Sequence, residues 1–150
     1  ALLSAATLRH ALVLATNFGD LSFTWFGLRL EVARRTATFS FVNRFDIDAD
    51  VLDFLYDRDC AAALVDFSEA VGQPLVLDKV MLPHDGHGRT GVYRKFFGCA
   101  VEFNETPVRI EFATKLLETP LPHRDAAASD FSAREWILAC SGGSTGIVMP

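Results

Sequence analysis

Apolar residues recur along this chain in two rhythms, and the switches between them mark out its elements. Leu8, Ala11, Leu12 and Ala15 stand at i, i+3, i+4 and i+7, the stripe of one helix face, and predict a helix over residues 5–17. Ser4 suits its N-cap, and Asn17-Phe18-Gly19 closes it, with Gly19 fitted to a left-handed position after the last turn. The period then drops to two. Leu28, Leu30 and Val32 alternate with Arg29 and Glu31, and Phe39, Phe41 and Asn43 alternate with Ser40 and Val42. Between them Ala33-Arg34-Arg35-Thr36 reads as a polar turn, so the two runs predict an antiparallel hairpin, preceded by a short strand over residues 22–26.

The helical rhythm returns after Asp46, Asp48 and Asp50, acidic residues that favour a helix N-terminus. Val51, Phe54, Leu55, Ala61, Ala62, Val65 and Ala70 carry it over residues 50–71, and Gly72 with Pro74 ends it. A strand is predicted over residues 75–82, then a loop rich in breakers over 83–88, then a short basic-aromatic helix that stops at Gly98-Cys99. Two strands follow, on either side of Glu105-Thr106-Pro107. This order predicts an α+β domain: helices, one of them long and central, packed on a mostly antiparallel sheet. Beyond Pro122 the pattern weakens. Residues 125–139 suit a helix carrying Phe131, Trp136 and Ile137, and residues 140–146 have the composition of a flexible linker. The expected division is one domain over residues 1–125 and a candidate helix with flexible linker or tail over 126–150.

Composition narrows the functional classes. The 150 residues suit one domain, and with 50% apolar residues and 13 Phe against 2 Tyr the core is expected to be filled by large rings. A net charge of −5 and scattered arginines exclude a phosphate-backbone grip by these residues alone. Cys60, Cys99 and Cys140 lie far apart, which gives neither a disulfide framework nor a zinc site; buried reduced thiols and a reducing cytoplasm are the expectation. No apolar run approaches the roughly 20 residues of a membrane span, and no charged leader precedes an apolar stretch. The chain opens without Met and almost inside a helix, so a longer parent polypeptide, truncated here at its N-terminus, is expected.

Candidate chemistry is sparse. In the loop Pro83-His84-Asp85-Gly86-His87-Gly88-Arg89-Thr90-Gly91, the residues His84, Asp85 and His87 are metal-ligand types, and a small enzyme built on them is the alternative to a binding role. Further ligands would have to come from elsewhere, and only His10 and His123 remain among histidines. Arg89 at the start of the following helix is a candidate for anion binding. The plain reading of the loop is a polar surface turn. Its glycine-rich end superficially resembles a phosphatase signature, but Pro83 stands where the nucleophilic Cys is needed. No G-x-S-x-G elbow is present, and Ser141-Gly142-Gly143-Ser144 is linker composition. The carboxylates between Asp46 and Asp59 suit a solvated helix face, and Asp46-x-Asp48-x-Asp50 lacks the Gly and distal Glu of a calcium loop. Arg94 and Lys95 among Tyr93, Phe96 and Phe97 are too few charges for a nucleic-acid patch; the helix is expected to bury Phe96 and Tyr93 and show the two cations to water. No catalytic residue, metal or cofactor is assigned.

One run is more specific than all of these. Tyr93-Arg94-Lys95-Phe96-Phe97-Gly98-Cys99-Ala100-Val101-Glu102-Phe103 resembles the Y-R-x-x-F-G-C-x-V-x-F element of the N-terminal effector-binding domain of AraC/XylS-type transcription regulators. The likeness continues through Val108-Arg109-Ile110-Glu111-Phe112 and Leu116-Leu117-Glu118-Thr119-Pro120-Leu121-Pro122. Upstream, Ser4-Ala5-Ala6-Thr7-Leu8-Arg9-His10-Ala11-Leu12 is similar to the family's S-x-x-T-L-x-x-A-L helix start. It covers about residues 1–125; the tail beyond departs from the family's linking helix. The resemblance implies a cytoplasmic homodimer that senses a small-molecule effector, touching DNA only through a C-terminal pair of helix-turn-helix motifs that this chain lacks. It also implies an effector site, for which Phe23, Trp25, Phe39 and Phe41 are the candidates; core packing is the competing account of these rings.

Overall fold

The computed structural model of the protein describes residues 5–17, 24–122 and 147–148. Ser4, Gly19, Ser22, Phe23, Cys140 and the helix expected over 125–139 lie outside the described residues.

Helix α1, Leu8–Asn17, starts three residues later than expected. Thr7 caps it: its Oγ1 accepts the His10 amide N–H at 3.3 Å, the third helical position, where a capping hydroxyl reaches best. Leu8, Ala11 and Leu12 face the core as the spacing predicts. The helix is clamped to the far end of the described domain. The Leu8 amide donates to the Thr119 carbonyl, the Leu121 amide donates to the Ala6 carbonyl, and Arg9 pairs with Glu118 at 2.7 Å. Leu117 and Leu121 are buried in the same core cluster as Leu8 and Leu12.

Strands β1 (Phe26–Val32) and β2 (Thr36–Asn43) form the expected antiparallel hairpin, with Arg29 opposite Ser40 and Leu30 opposite Phe39. Thr24 and Trp25 precede the strand instead of belonging to it. The long helix α2 is Ala49–Val71. Gly72 ends it with φ 76°, a left-handed turn in which its N–H reaches the Glu69 carbonyl and that of Gln73 reaches Ser68. The inward face of α2 differs from the expected stripe. Leu55, Tyr56, Asp59, Cys60, Ala63, Phe67, Ala70 and Val71 are buried, while Val51, Phe54, Ala62 and Val65 are exposed. Both sets keep helical spacing, so periodicity alone did not select the face; the large rings did, Tyr56 stacking on Phe26 and Phe67 meeting Phe39 edge to face.

Strand β3 is only Lys79–Met81, not the whole of 75–82. Leu75 and Leu77 still enter the core, but the Leu75 N–H is held by Ser68 Oγ at 3.0 Å and so belongs to the helix end, not to the sheet. Helix α3 is Thr90–Phe97, followed by β4 (Ala100–Glu102) and β5 (Val108–Ala113). Phe97 is the buried ring of α3; Phe96, expected inside, is half-exposed, and Arg94 and Lys95 face water as expected. A short 3-10 helix, Thr114–Glu118, and a two-residue β6, Ile147–Val148, complete the described elements.

The strands lie in the order β4-β3-β5-β2-β1-β6. The three central pairings are antiparallel, and β3–β4 and β1–β6 at the edges are parallel. The architecture is therefore the expected α+β sheet with a long helix. Because paired residues share a face, one face carries Leu30, Phe39, Ile110 and Val80 in a row into the core. The other carries Arg29, Ser40, Arg109 and Met81 in the next row.

Candidate functional site

The aromatic candidates separate into two environments. Phe39 and Phe41 are 1% and 3% exposed, and their rings meet edge to face at 5.5 Å. Phe26 and Phe67 complete the packing around them, and Tyr56 stacks on Phe26 at 4.3 Å. These rings fill the space between the sheet and α2. Of the three described candidates only Trp25 offers its ring to solvent, 52% exposed, with Phe45 edge-on at 6.0 Å. Phe23 lies outside the described residues.

The loop after β3 is more ordered chemically than a plain turn. His84 is buried, and each ring nitrogen has a partner. Nδ1 accepts the Gly86 N–H at 3.0 Å, so the ring proton resides on Nε2, which donates to Asp57 Oδ1 at 2.8 Å. The second Asp57 oxygen accepts the Tyr93 hydroxyl at 2.5 Å. One carboxylate on α2 thus ties the loop and α3 together. The His87 ring stacks on His84 at 4.5 Å, and Phe103 stands edge-on to Tyr93 at 5.6 Å. Asp85 Oδ1 accepts the His87 N–H at 2.7 Å, a local turn contact. Gly86 is required here: its φ is 82°, and a Cβ would come within 2.8 Å of the Phe103 ring.

This arrangement leaves His84 no free ring nitrogen to offer a metal. Both His84 nitrogens are engaged, and no group of three metal-ligating side chains occurs among the described residues. Burial and then the hydrogen bond to Asp57 push the Tyr93 phenol up to about 12, which keeps it a neutral donor. Arg89 stands immediately before α3, exposed, and its carbonyl accepts the Val92 N–H at 2.9 Å. Its side chain forms no cap to the helix.

A second carboxylate of α2 works in the same way. Asp59 is buried, where a solvated helix face had been expected. It accepts the Thr24 hydroxyl at 2.7 Å and the Arg58 guanidinium at 2.6 Å, fastening the start of β1 to the helix. Next to it Cys60 is fully buried, and burial holds its thiol well above the ordinary value. Burial likewise raises Cys99, which suits thiols that stay protonated. The roles of Asp57 and Asp59 escaped sequence reading because they face inward from a helix whose inner face periodicity left ambiguous.

Comparison with known proteins adds the following. The family model described as the arabinose-binding domain of AraC transcription regulators, N-terminal, matches residues 1–121. None of the curated protein sequences matches the chain. Among solved structures, the transcriptional regulator CdpR from Pseudomonas aeruginosa superposes with a TM-score of 0.72 at 19% identity over 87% of this chain. This chain spans 42% of the length of that protein. At that identity the likeness speaks for the fold. No helix among the described residues is long and apolar enough to cross a membrane.

Proposed function

We propose, from the premise that the chain belongs to the family of N-terminal arabinose-binding domains of AraC transcription regulators, that it is the ligand-sensing domain of a DNA-binding regulator. The observation that carries this reading is the family match across residues 1–121, which takes in nearly every described element. The acidic balance agrees with it, since a domain of net charge −5 leaves the grip on DNA to another part of the protein. That part, in this reading, is a helix-turn-helix half outside these 150 residues, acting in a cytoplasmic homodimer.

Sensing requires the effector to bind one arrangement of the two halves more tightly than the other; equal affinity would shift nothing. The exposed Trp25–Phe45 pair just before β1 and after β2 supplies the apolar contact of the proposed effector site, while Phe39 and Phe41 are taken up by the core on the other face of the sheet. The test is a thermal-shift panel of metabolites, arabinose included, on the full-length protein, followed by promoter affinity with and without each hit. Ligand at about 100 times its Kd adds roughly 2.7 kcal/mol of stability. A panel without hits, or hits that leave promoter affinity unchanged, defeats the reading.

A further inference from the structure

The second face of the sheet holds a cross-strand row that packing does not explain. Arg29 on β1 stands opposite Ser40 on β2, and Ser40 stands opposite Arg109 on β5, so the hydroxyl lies between two guanidinium-bearing positions. Neighbouring strands are roughly 4.8 Å apart, which sets the two arginine backbones about 10 Å from each other. Two side chains of that length reach a common oxyanion over the middle strand.

Three observations separate this row from an ordinary solvated face. Ser40 is only 7% exposed, yet its hydroxyl makes no hydrogen bond to a described residue. Arg29 makes no ion pair or hydrogen bond among the described residues. Among the described residues Arg109 donates only to Met81 Sδ, from its Nε at 2.6 Å, a thioether that is a weak acceptor and one that a carboxylate displaces. Among the described residues neither arginine is paired with a carboxylate, although glutamates are near. Glu31 faces Thr38, and Glu111 faces Lys79, whose ammonium is also paired with Glu102 at 2.9 Å.

We infer that Arg29, Ser40 and Arg109 form a binding site for the carboxylate group of a small monoanionic ligand. This deepens the sensing reading and rests on it, because the site would take that domain's effector. The charge pattern selects the class. Glu31 and Glu111 follow the two arginines by two residues, roughly 7 Å along each strand, and repel a second negative charge. A phosphate dianion or a dicarboxylate is therefore disfavoured. In the opposite direction along β1 lies Gly27, opposite Val42, and then Trp25. The Arg44 guanidinium occupies the space where a Gly27 side chain would stand, 2.5 Å from that Cβ position. Beyond that guanidinium, Trp25 is the apolar group at this end that the ligand's body would meet.

Ligand-observed NMR titration of the full-length protein with butanoate and, separately, inorganic phosphate tests the site. Butanoate is expected to saturate, and Arg29→Gln and Arg109→Gln each to weaken it by about tenfold or more, the loss of one charge-assisted pair. Ser40→Ala is expected to weaken it by about threefold, and Arg34→Gln in the hairpin turn to leave it unchanged. Unaltered melting temperatures for the arginine variants show that the fold is kept. The inference is overturned by any of three results: no butanoate binding, binding that survives both arginine substitutions, or phosphate binding as tightly as butanoate. A metabolite that stabilises wild type and Arg29→Gln equally removes the site from this face and leaves the sensing reading standing.

Discussion

The two faces of the sheet are made by the same strands and behave as different materials. On one face Leu30, Phe39, Ile110 and Val80 run across four strands and are all 4% exposed or less. Residues one step along each strand make a row with two arginines, a serine and a methionine outside the core cluster. The period of two separates stability from recognition without a change of backbone. Substitutions on the first face are paid in folding free energy, because close-packed rings leave cavities when cut back. On the second face charges remain solvated, and their removal is felt by a ligand rather than by the fold.

The largest expected effect breaks the core face. Phe39→Ala removes a ring held between Phe41 and Phe67 and should cost about 3–5 kcal/mol, read by urea denaturation. A loss below about 1 kcal/mol would contradict the packing described. Next comes the polar clasp at the sheet's end, which tests whether hydrogen bonds hold as well as rings do. Asp57→Ala leaves the buried His84 Nε2–H and the Tyr93 hydroxyl without their acceptor, and should cost about 2–3 kcal/mol.

The same clasp gives a pH signature. The folded phenol of Tyr93 is pushed up to about 12 from 10.0, so the folded state holds this proton more tightly than the unfolded state. Its stabilising contribution is whole below pH 10 and is lost as pH rises through about 12. Burial raises Tyr56 as well, so phenolate absorbance should show both tyrosines above the ordinary value, and Asp57→Asn should draw Tyr93 part of the way back. A Tyr93 titration left unmoved by Asp57→Asn would remove the clasp's electrostatic role. The smallest effect sharpens the contrast from the other side. Arg29→Gln, on the charged face, should change stability by no more than about 0.5 kcal/mol in thermal denaturation. A shift comparable to that of Phe39→Ala would mean that the two faces are not divided as argued.

Much of this molecule was written in local pattern. Alternation in Leu28–Val32 and Phe39–Phe41 gave the hairpin, Gly72 and Pro74 gave the end of α2, and the run from Tyr93 to Phe103 pointed to the family that the match over residues 1–121 bears out. Such features need only neighbours in the chain, since side-chain period and turn chemistry are local properties. The inner face of α2 was different: two stripes were equally periodic, and contact with Phe26 and Phe39 chose between them. Strand β3 shrank for a related reason, because the Ser68 hydroxyl claimed the Leu75 amide before the sheet did.

The site shows the same boundary. Arg29-Leu30-Glu31 and Arg109-Ile110-Glu111 are near copies of one another, and the sequence displays them openly. That they flank one serine is a matter of register, set by how β2 pairs with both β1 and β5. Likewise His84, Asp57 and Tyr93 are separated by 27 and 36 positions, and only the packing of α2 beside the loop and α3 joins them. Sequence by itself determined which residues face the same way along each element, because backbone geometry imposes that period. Tertiary structure alone decided which elements meet and in what register, because that choice depends on burying large rings far apart in the chain.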